Sequence, residues 1–292
     1  MTEMSGSEHQ PYKDGPKVHV IGFPIKHSRS PLIHGYWLDH YNLAGTYTKM
    51  AVAPEDFESF IGSMAESGIA GANITVPFKE LAFRLADHAD MAATAIEAAN
   101  TLWLRDGELH ASNTDGYGFL ANLDAGAPGW DASDLTVAVL GAGGAARGII
   151  QALMSRGINS IRLTNRTRQR AEVLADYFGG ALSVTDWNKR NEVLADCGLV
   201  INTTSLGMEG CPPLEMDLSR LPGNAVVTDL VYAPLKTELL KVAEERGYLI
   251  VDGLGMLLHQ AVPGFEKWFG VRPEVTPELR ALIVSDLEAP SC

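Results

Sequence analysis

LTVAVLGAGGAA, running from Leu135 to Ala146, decides the fold. Its first half is an apolar run of strand length, and its second half is a glycine-rich turn. Gly141, Gly143 and Ala146 satisfy the G-x-G-x-x-G/A spacing. In that pattern the first glycine permits a tight turn, the second lets backbone approach a pyrophosphate, and the third small residue allows close helix-strand packing. Glycines alone would equally suit a turn packed for geometry. Here an amphipathic segment follows, with Ile149, Ile150, Leu153 and Met154 spaced for one helical face. Strand, glycine turn and helix together read as the phosphate-binding start of a dinucleotide fold.

The next strand, IRLT (161–164), selects the dinucleotide. An Asp or Glu ~20 residues beyond the glycines binds a ribose 2′-hydroxyl, whereas arginine there receives a 2′-phosphate. Asn165, Arg166, Thr167 and Arg168 follow this strand, then Arg170, with no carboxylate among them. Arginines that merely solvated a helix start would oppose its dipole unless an anion joined them, and guanidinium forks match a phosphate. The expectation is NADP.

A chain of 292 residues with 46% hydrophobic and 20% charged residues supports two domains with cores of their own. Its net charge of −13 opposes nucleic-acid binding and offers no basic patch for a membrane surface, which leaves small molecules as the expected partners. Cys197, Cys211 and Cys292 form no C-x-x-C pair and are odd in number, so neither a disulfide framework nor a zinc site is expected. No apolar run reaches transmembrane length, and the polar residues 1–16 lack the apolar core of a signal peptide. They read as a flexible tail, and the cytoplasm as the compartment.

Strand-like VHVI, TYTKMAV and GANITV alternate with helical segments near Pro31 to Tyr41, Glu55 to Ser67 and Lys79 to Ala86. From Leu135 the strands LTVAVL, IRLT, LVINTT, AVVTDLVY and YLIVDG recur with helices between them, as a doubly wound parallel sheet requires. The fold class is therefore α/β. An N-terminal substrate domain occupies 17–116, and a Rossmann-type domain occupies 117–253. Helices over 254–292, beginning with Met256 to Phe269, return to complete the first domain, with a cleft between the two. NLDAGAPGWDAS (122–133) reads as a surface loop.

Candidate chemistry lies in short polar segments. GFPIKHSRSPLIH places Ser28 and Ser30 before a helix whose first-turn proline is Pro31, with Ser30 as its N-cap. One serine suffices as a cap; the second is surface decoration or binds a small carboxylate with the orphan amides. GANITVP delivers Thr75 and then Lys79 at a helix start, where positive charge is unfavourable, a setting that suits proton transfer, although isolated lysines are mostly solvated. EAANTLW supplies Asn100, and SNTDGYG supplies Asn113, Thr114 and Asp115. NTDG on its own reads as an Asx turn, while Asp115 beside Lys79 would make a coupled acid-base pair. His27, His34 and His259 lack a second ligand at helical spacing with an accompanying acid, so they read as surface or capping residues and no metal is expected.

In order and spacing, GFPIKHSRSPLIH, GANITVPFK, EAANT, NTDGYG, GAGGAARG, NRT, INTTSLGM and DGLGMLLHQA resemble the shikimate dehydrogenase family across nearly the whole chain beyond the tail. The resemblance implies that Ser28 and Ser30 bind the substrate carboxylate, that Thr75, Asn100 and Gln260 hold its hydroxyls with Tyr232 nearby, and that Lys79 with Asp115 serves the reacting carbonyl. It implies cofactor contacts at Gly141, Ala142, Gly143, Gly144 and Ala145, at Asn165, Arg166, Thr167 and Arg170, and at Thr203, Leu230 and Gly253. The implied reaction is NADPH-dependent reduction of 3-dehydroshikimate to shikimate, by a monomer or homodimer.

Three other functions share parts of this pattern. An NAD-dependent quinate/shikimate dehydrogenase should carry an acid where Asn165 and Arg166 stand. A catalytically silent NADPH-binding protein would not need Lys79 and Asp115. A dehydrogenase acting on an amino acid or folate fits less well with paired serines and the Asn100, Asp115 and Gln260 set, which suit a polyhydroxylated ring acid.

Overall fold

The computed structural model describes residues 15–131 and 134–289, so the tail expected over 1–16 falls outside the described residues except for Gly15 and Pro16. Two compact units divide the chain. The first runs to Ser112 and regains Val262–Glu274; the second holds Asn113–Ala261 and the residues from Val275 onward.

In the first unit the elements are β1 (Lys17–Gly22), α1 (Ser30–His40), β2 (Thr46–Ala51), α2 (Phe57–Gly62), β3 (Ile69–Ile74), α3 (Lys79–Leu85), β4 (His88–Ala89), α4 (Met91–Ile96), β5 (Thr101–Arg105) and β6 (Glu108–Ser112). They form a six-stranded sheet in the order β2-β1-β3-β5-β6-β4. The β1, β2 and β3 pairings are parallel, β5 is antiparallel to both β3 and β6, and β4 adds parallel to β6 at the edge. Both faces of β1 are covered: Ile21 joins a core with Phe57, Ile61, Phe78 and Leu102, while Val18 and Val20 pack with Tyr47 and Trp268. The helix expected over Glu55 to Ser67 is shorter, a 3-10 turn at Pro54–Asp56 preceding α2.

The second unit comprises α5 (Asp115–Gly126), β7 (Thr136–Leu140), α6 (Gly144–Ser155), β8 (Ser160–Asn165), α7 (Arg168–Phe178), β9 (Leu182–Asp186), β10 (Leu199–Asn202), β11 (Val226–Asp229), α8 (Glu238–Glu245), β12 (Leu249–Val251), the first half of α9 (Leu254–Phe269) and α10 (Pro277–Glu288). Its sheet is wholly parallel, in the order β12-β11-β10-β7-β8-β9. Val137 and Val139 enter one core, and Ala138 and Leu140 the other. A strand buried on both faces carries a continuous apolar run, as LTVAVL does. The strand order reverses between β7 and β10, which makes their carboxyl ends the topological switch point of a Rossmann-type sheet.

Two expectations change. Asn122 to Gly126, read as the start of a loop, are the last residues of α5, and Trp130 beyond them is buried with its indole N–H donating to Asp124 Oδ1 at 2.9 Å. Residues 132 and 133 of that loop lie outside the described residues. The returning segment is also divided: Val262–Glu274 count with the first unit, whereas α10 belongs to the second, where Arg280 pairs with Asp252 at 2.5 Å. The division within α9 falls one residue before Pro263, which cannot donate a helical hydrogen bond.

Candidate active site

At the switch point each glycine has a separate task. Gly141 takes φ +110°, and a Cβ there would lie 2.6 Å from Thr203 Oγ1. Only glycine admits both that backbone and that approach. Gly143 and Gly144 are exposed, and a Cβ on either would meet nothing within 4 Å, so the turn presents bare backbone on its open side. Ala146 is fully buried in the core beneath. Asn165, at the end of β8, clamps this turn: its Oδ1 accepts from the Ala142 N–H at 3.1 Å and its Nδ2 donates to Thr167 O at 2.7 Å. Thr203 closes the other side, with its hydroxyl donating to Leu140 O at 2.9 Å.

The three arginines after β8 are not equivalent. Arg168 donates to Asp186 Oδ1 and to Glu172 Oε1, each at 2.7 Å. Arg166 and Arg170 are exposed, and among the described residues neither makes an ion pair. Exposed guanidinium groups on the segment that follows the Asn165 clamp, and bare backbone at Gly143 and Gly144, are chemically suited to a phosphorylated dinucleotide.

Sequence reasoning missed the group that shapes the neighbouring loops. Asp229, at the end of β11, is fully buried; its carboxylate accepts from Asn202 Nδ2 (2.9 Å), the Val231 N–H (2.9 Å) and the Thr237 hydroxyl (2.7 Å). Burial raises its pKa above the usual carboxylate range, the three donors opposing the rise. These bonds fix Asn202, just before Thr203, and the chain on both sides of Leu230. Gly253 is packed so closely that a Cβ would lie 2.4 Å from Leu230 O, which brings those two together. Tyr232 is half-buried after the same strand.

In the first unit, the expected N-cap is corrected. Ser30 is the first residue of α1 and buried, and it is Ser28 whose Oγ accepts the Ser30 N–H, at 3.3 Å. The parallel pairing of β1 and β3 sets their carboxyl ends side by side, and Thr75 follows β3 there, its N–H donating to Ile21 O at 2.9 Å. Backbone bonds join Lys79 and Asn100 to this corner: Ala99 N–H donates to Lys79 O and Ile74 N–H to Asn100 O, both at 2.8 Å. Lys79 is half-buried at the first position of α3, as its place in the sequence suggests.

Beneath this corner lies a polar network absent from the sequence reading. The Tyr47 hydroxyl donates to Asn73 Oδ1 at 2.5 Å; Asn73 Nδ2 donates to Asn100 O and Thr101 Oγ1; and the Thr101 hydroxyl donates to Asn100 Oδ1 at 2.9 Å. His34 is not the surface or capping group expected. It is fully buried, with its ring flat on Tyr47 at a centroid distance of 3.8 Å. Burial drives its pKa down to about 3, a nearby Asn73 opposing the shift only in part. His27 is exposed, as expected, while His259 is half-buried with its pKa lowered by burial.

In the second unit the Asx turn is present, with the Asp115 N–H donating to Asn113 Oδ1 at 3.1 Å at the start of α5. One turn on, a Cβ at Gly118 would lie 2.6 Å from Gln260 Cβ, so α5 and α9 cross closely there. The Gln260 side chain donates to Leu257 O at 3.1 Å.

Three family descriptions match: the shikimate dehydrogenase substrate binding domain over residues 20–102, the shikimate/quinate 5-dehydrogenase over 125–208, and the shikimate 5′-dehydrogenase C-terminal domain over 253–282. A shikimate dehydrogenase (NADP(+)) of Rhizobium etli (strain CIAT 652) is 58% identical over 94% of this chain and 97% of its own. The chain belongs to the shikimate dehydrogenase family. Similar solved structures include the shikimate 5-dehydrogenase of Thermus thermophilus in complex with NADP(H) and shikimate, with TM-score 0.81 and 32% identity over 93% of this chain and 99% of that one. Another is the quinate dehydrogenase of Corynebacterium glutamicum in complex with NAD, with TM-score 0.86 and 30% identity over 94% and 100%.

For a shikimate dehydrogenase family member, then, the structure assembles the motif residues in two groups. Ser28, Ser30, Thr75, Lys79 and Asn100 belong to the first unit; Asp115, Gln260 and the glycine turn clamped by Asn165 and Thr203 belong to the second. The missed Asn73 sits inside GANITVPFK. An asparagine in the middle of an otherwise apolar strand was the signal available for it, because a buried amide must find partners.

Proposed function

We propose that this protein catalyses the reversible NADPH-dependent reduction of 3-dehydroshikimate to shikimate, the step that feeds chorismate and aromatic amino-acid synthesis. One observation carries the reading: Thr75 follows β3 where the carboxyl ends of β1 and β3 lie side by side, and backbone bonds tie Lys79 and Asn100 to that corner, a hydroxyl, an ammonium and an amide of the kinds that suit a polyhydroxylated ring. The nicotinamide, when bound, supplies the hydride to the ring ketone. Ser28 and Ser30 hold the substrate carboxylate, and Thr75, Asn100 and Gln260 hold its hydroxyls, with Tyr232 beside them. The Lys79 ammonium stabilises the alkoxide as negative charge develops, and the Lys79/Asp115 pair returns the proton to that oxygen. Exclusion of water strengthens these contacts.

The NAD-dependent quinate reading has support in the similarity to the quinate dehydrogenase fold. Against it stand the exposed Arg166 and Arg170, with the adjacent carboxylate of Asp186 engaged by Arg168. No helix among the described residues is long and apolar enough to cross a membrane, and the proposed setting is the cytoplasm, as a monomer or homodimer. The test is oxidation of shikimate and of quinate, each with NADP and with NAD. Fast turnover of shikimate with NADP is expected; a preference for quinate or for NAD would overturn the reading.

A further inference from the structure

The edge of the first sheet carries a cluster that the reaction does not use. His88 on β4 lies directly across from His110 on β6, and Glu108 is two residues before His110, on the same face of its strand. The His88 Nε2 is 2.9 Å from Glu108 Oε2, and one ligand atom from each of the three residues falls within 4.8 Å of the others. The side chains of His88 and Glu108 are 53% and 59% exposed, so an ion reaches them from solvent.

The cluster is supported from behind and from both ends. Trp103, across from His110 on β5, stacks on the His110 ring at 5.4 Å, and the Lys267 ammonium lies 4.0 Å from the centre of the same indole. This fixes the plane of one imidazole. Strand β4 is only two residues long, yet its flanks are pinned: Asp87 Oδ2 accepts the Leu109 N–H at 2.7 Å, and Asp90 Oδ2 accepts the Ser112 hydroxyl at 2.5 Å while its N–H donates to Ala111 O. The backbone that presents His88 is therefore held in register with the backbone that presents His110 and Glu108. Preorganised ligands on strands lose little freedom on binding.

We propose that His88, Glu108 and His110 form a surface site for a late first-row divalent ion of the zinc, nickel or copper class, with water completing the coordination. Two imidazoles and one carboxylate are a donor set for such ions and not for magnesium or calcium, which take oxygen ligands. Metal-ligand bonds of about 2.0–2.2 Å require the three donor atoms to readjust from their present spacing. Rotation of the two exposed side chains supplies that movement. An ion so bound ties the edge strand β4 to β6.

The test uses the full chain without an added histidine tag, stripped with a chelator and titrated with zinc by calorimetry and with cobalt by visible absorption. One equivalent of either metal is expected to bind, undisplaced by excess magnesium. His88→Ala and His110→Ala should each weaken binding at least about tenfold, and Glu108→Gln should weaken it as well, with shikimate oxidation retained in all three as evidence of folding. As a second readout on the unaltered protein, zinc should shift the ring proton resonances of two histidines only, and those are assigned to His88 and His110 through the variants. No uptake at about 100 μM zinc, equal affinity in His88→Ala/His110→Ala, or displacement by magnesium overturns the proposal.

Discussion

The guanidinium of Arg168 is held between two carboxylates, Asp186 and Glu172, with 2.7 Å to each. Asp186 ends the strand next to β8 and stands across from Asn165. An acid is thus present beside the cofactor end of the sheet, and Arg168 occupies it. This relationship divides the labour among three arginines that look alike in sequence.

Arg166→Ala is therefore expected to lower kcat/KM with NADP by roughly 10- to 100-fold, the loss of one charge-assisted contact, while kcat/KM with NAD barely changes. Arg168→Ala serves as the internal comparison. It should release Asp186 and lower NADP use by repulsion while leaving NAD use intact or improved. Equal losses with both cofactors in Arg166→Ala would show that this arginine supports the fold and not the phosphate.

Lys79→Ala is expected to lower kcat by about 10²- to 10⁴-fold with KM for shikimate within a small factor, because the ammonium acts on charge that develops in the transition state. Steady-state kinetics at saturating NADP decide this. A kcat close to that of the unaltered enzyme would remove Lys79 from the proton route.

Replacing Ser28 and Ser30 together by alanine should chiefly raise KM, since hydroxyls that hold a carboxylate bind ground state and transition state alike. Ser28 also accepts the Ser30 N–H, so the double variant loses a bond at the start of α1. Urea denaturation separates the two effects: a KM change with unchanged stability supports carboxylate binding. A fall in kcat alone with lowered stability would assign the serines to the helix start.

Acid should destabilise the first unit through His34. Its folded pKa of about 3 lies below the ordinary 6.5, so the unfolded chain binds the extra proton throughout that interval. The stabilisation is complete above about pH 6.5 and is lost as pH falls toward 3, with a slope of about 1.4 kcal/mol per pH unit. His34→Phe keeps a ring on Tyr47 without the titrating nitrogens and should show a flatter profile in urea denaturation between pH 7 and 4. Parallel profiles would contradict a neutral buried imidazole.

Asp229→Ala should cost on the order of 3 kcal/mol, because three buried donors lose their acceptor. Asp229→Asn should cost much less. Its Oδ1 can keep the bonds from Asn202 and Val231, and the Thr237 hydroxyl can accept where it formerly donated. Chemical denaturation of the two variants tests this, and equal losses would mean that the charge itself is required.

The motif residues were legible because each motif is short and imposes its demand locally. Gly141 needs a positive φ within a four-residue turn, and Lys79 follows TVPF at a helix start; both requirements are written in neighbouring residues. Ser30 shows the limit of that approach. A serine before a proline reads as a cap, but the helix begins at Ser30 itself and the accepting hydroxyl belongs to Ser28.

By itself, the sequence determined the class of the fold, the doubly wound sheet, the glycine turn and the set of polar motifs. Hydrophobic periodicity and turn chemistry act over a few residues, and those are the distances a sequence displays. Tertiary structure alone decided that His34 is buried against Tyr47, that Asp229 gathers Asn202 and Thr237, that Arg168 faces Asp186, and that His88 meets Glu108 and His110. Each pairing depends on strand register or on a crossover between elements. A one-residue shift in register would send the strand members of these pairings, such as Asp186, Asp229 and His110, to the opposite face, and no local pattern of residues records which register is adopted.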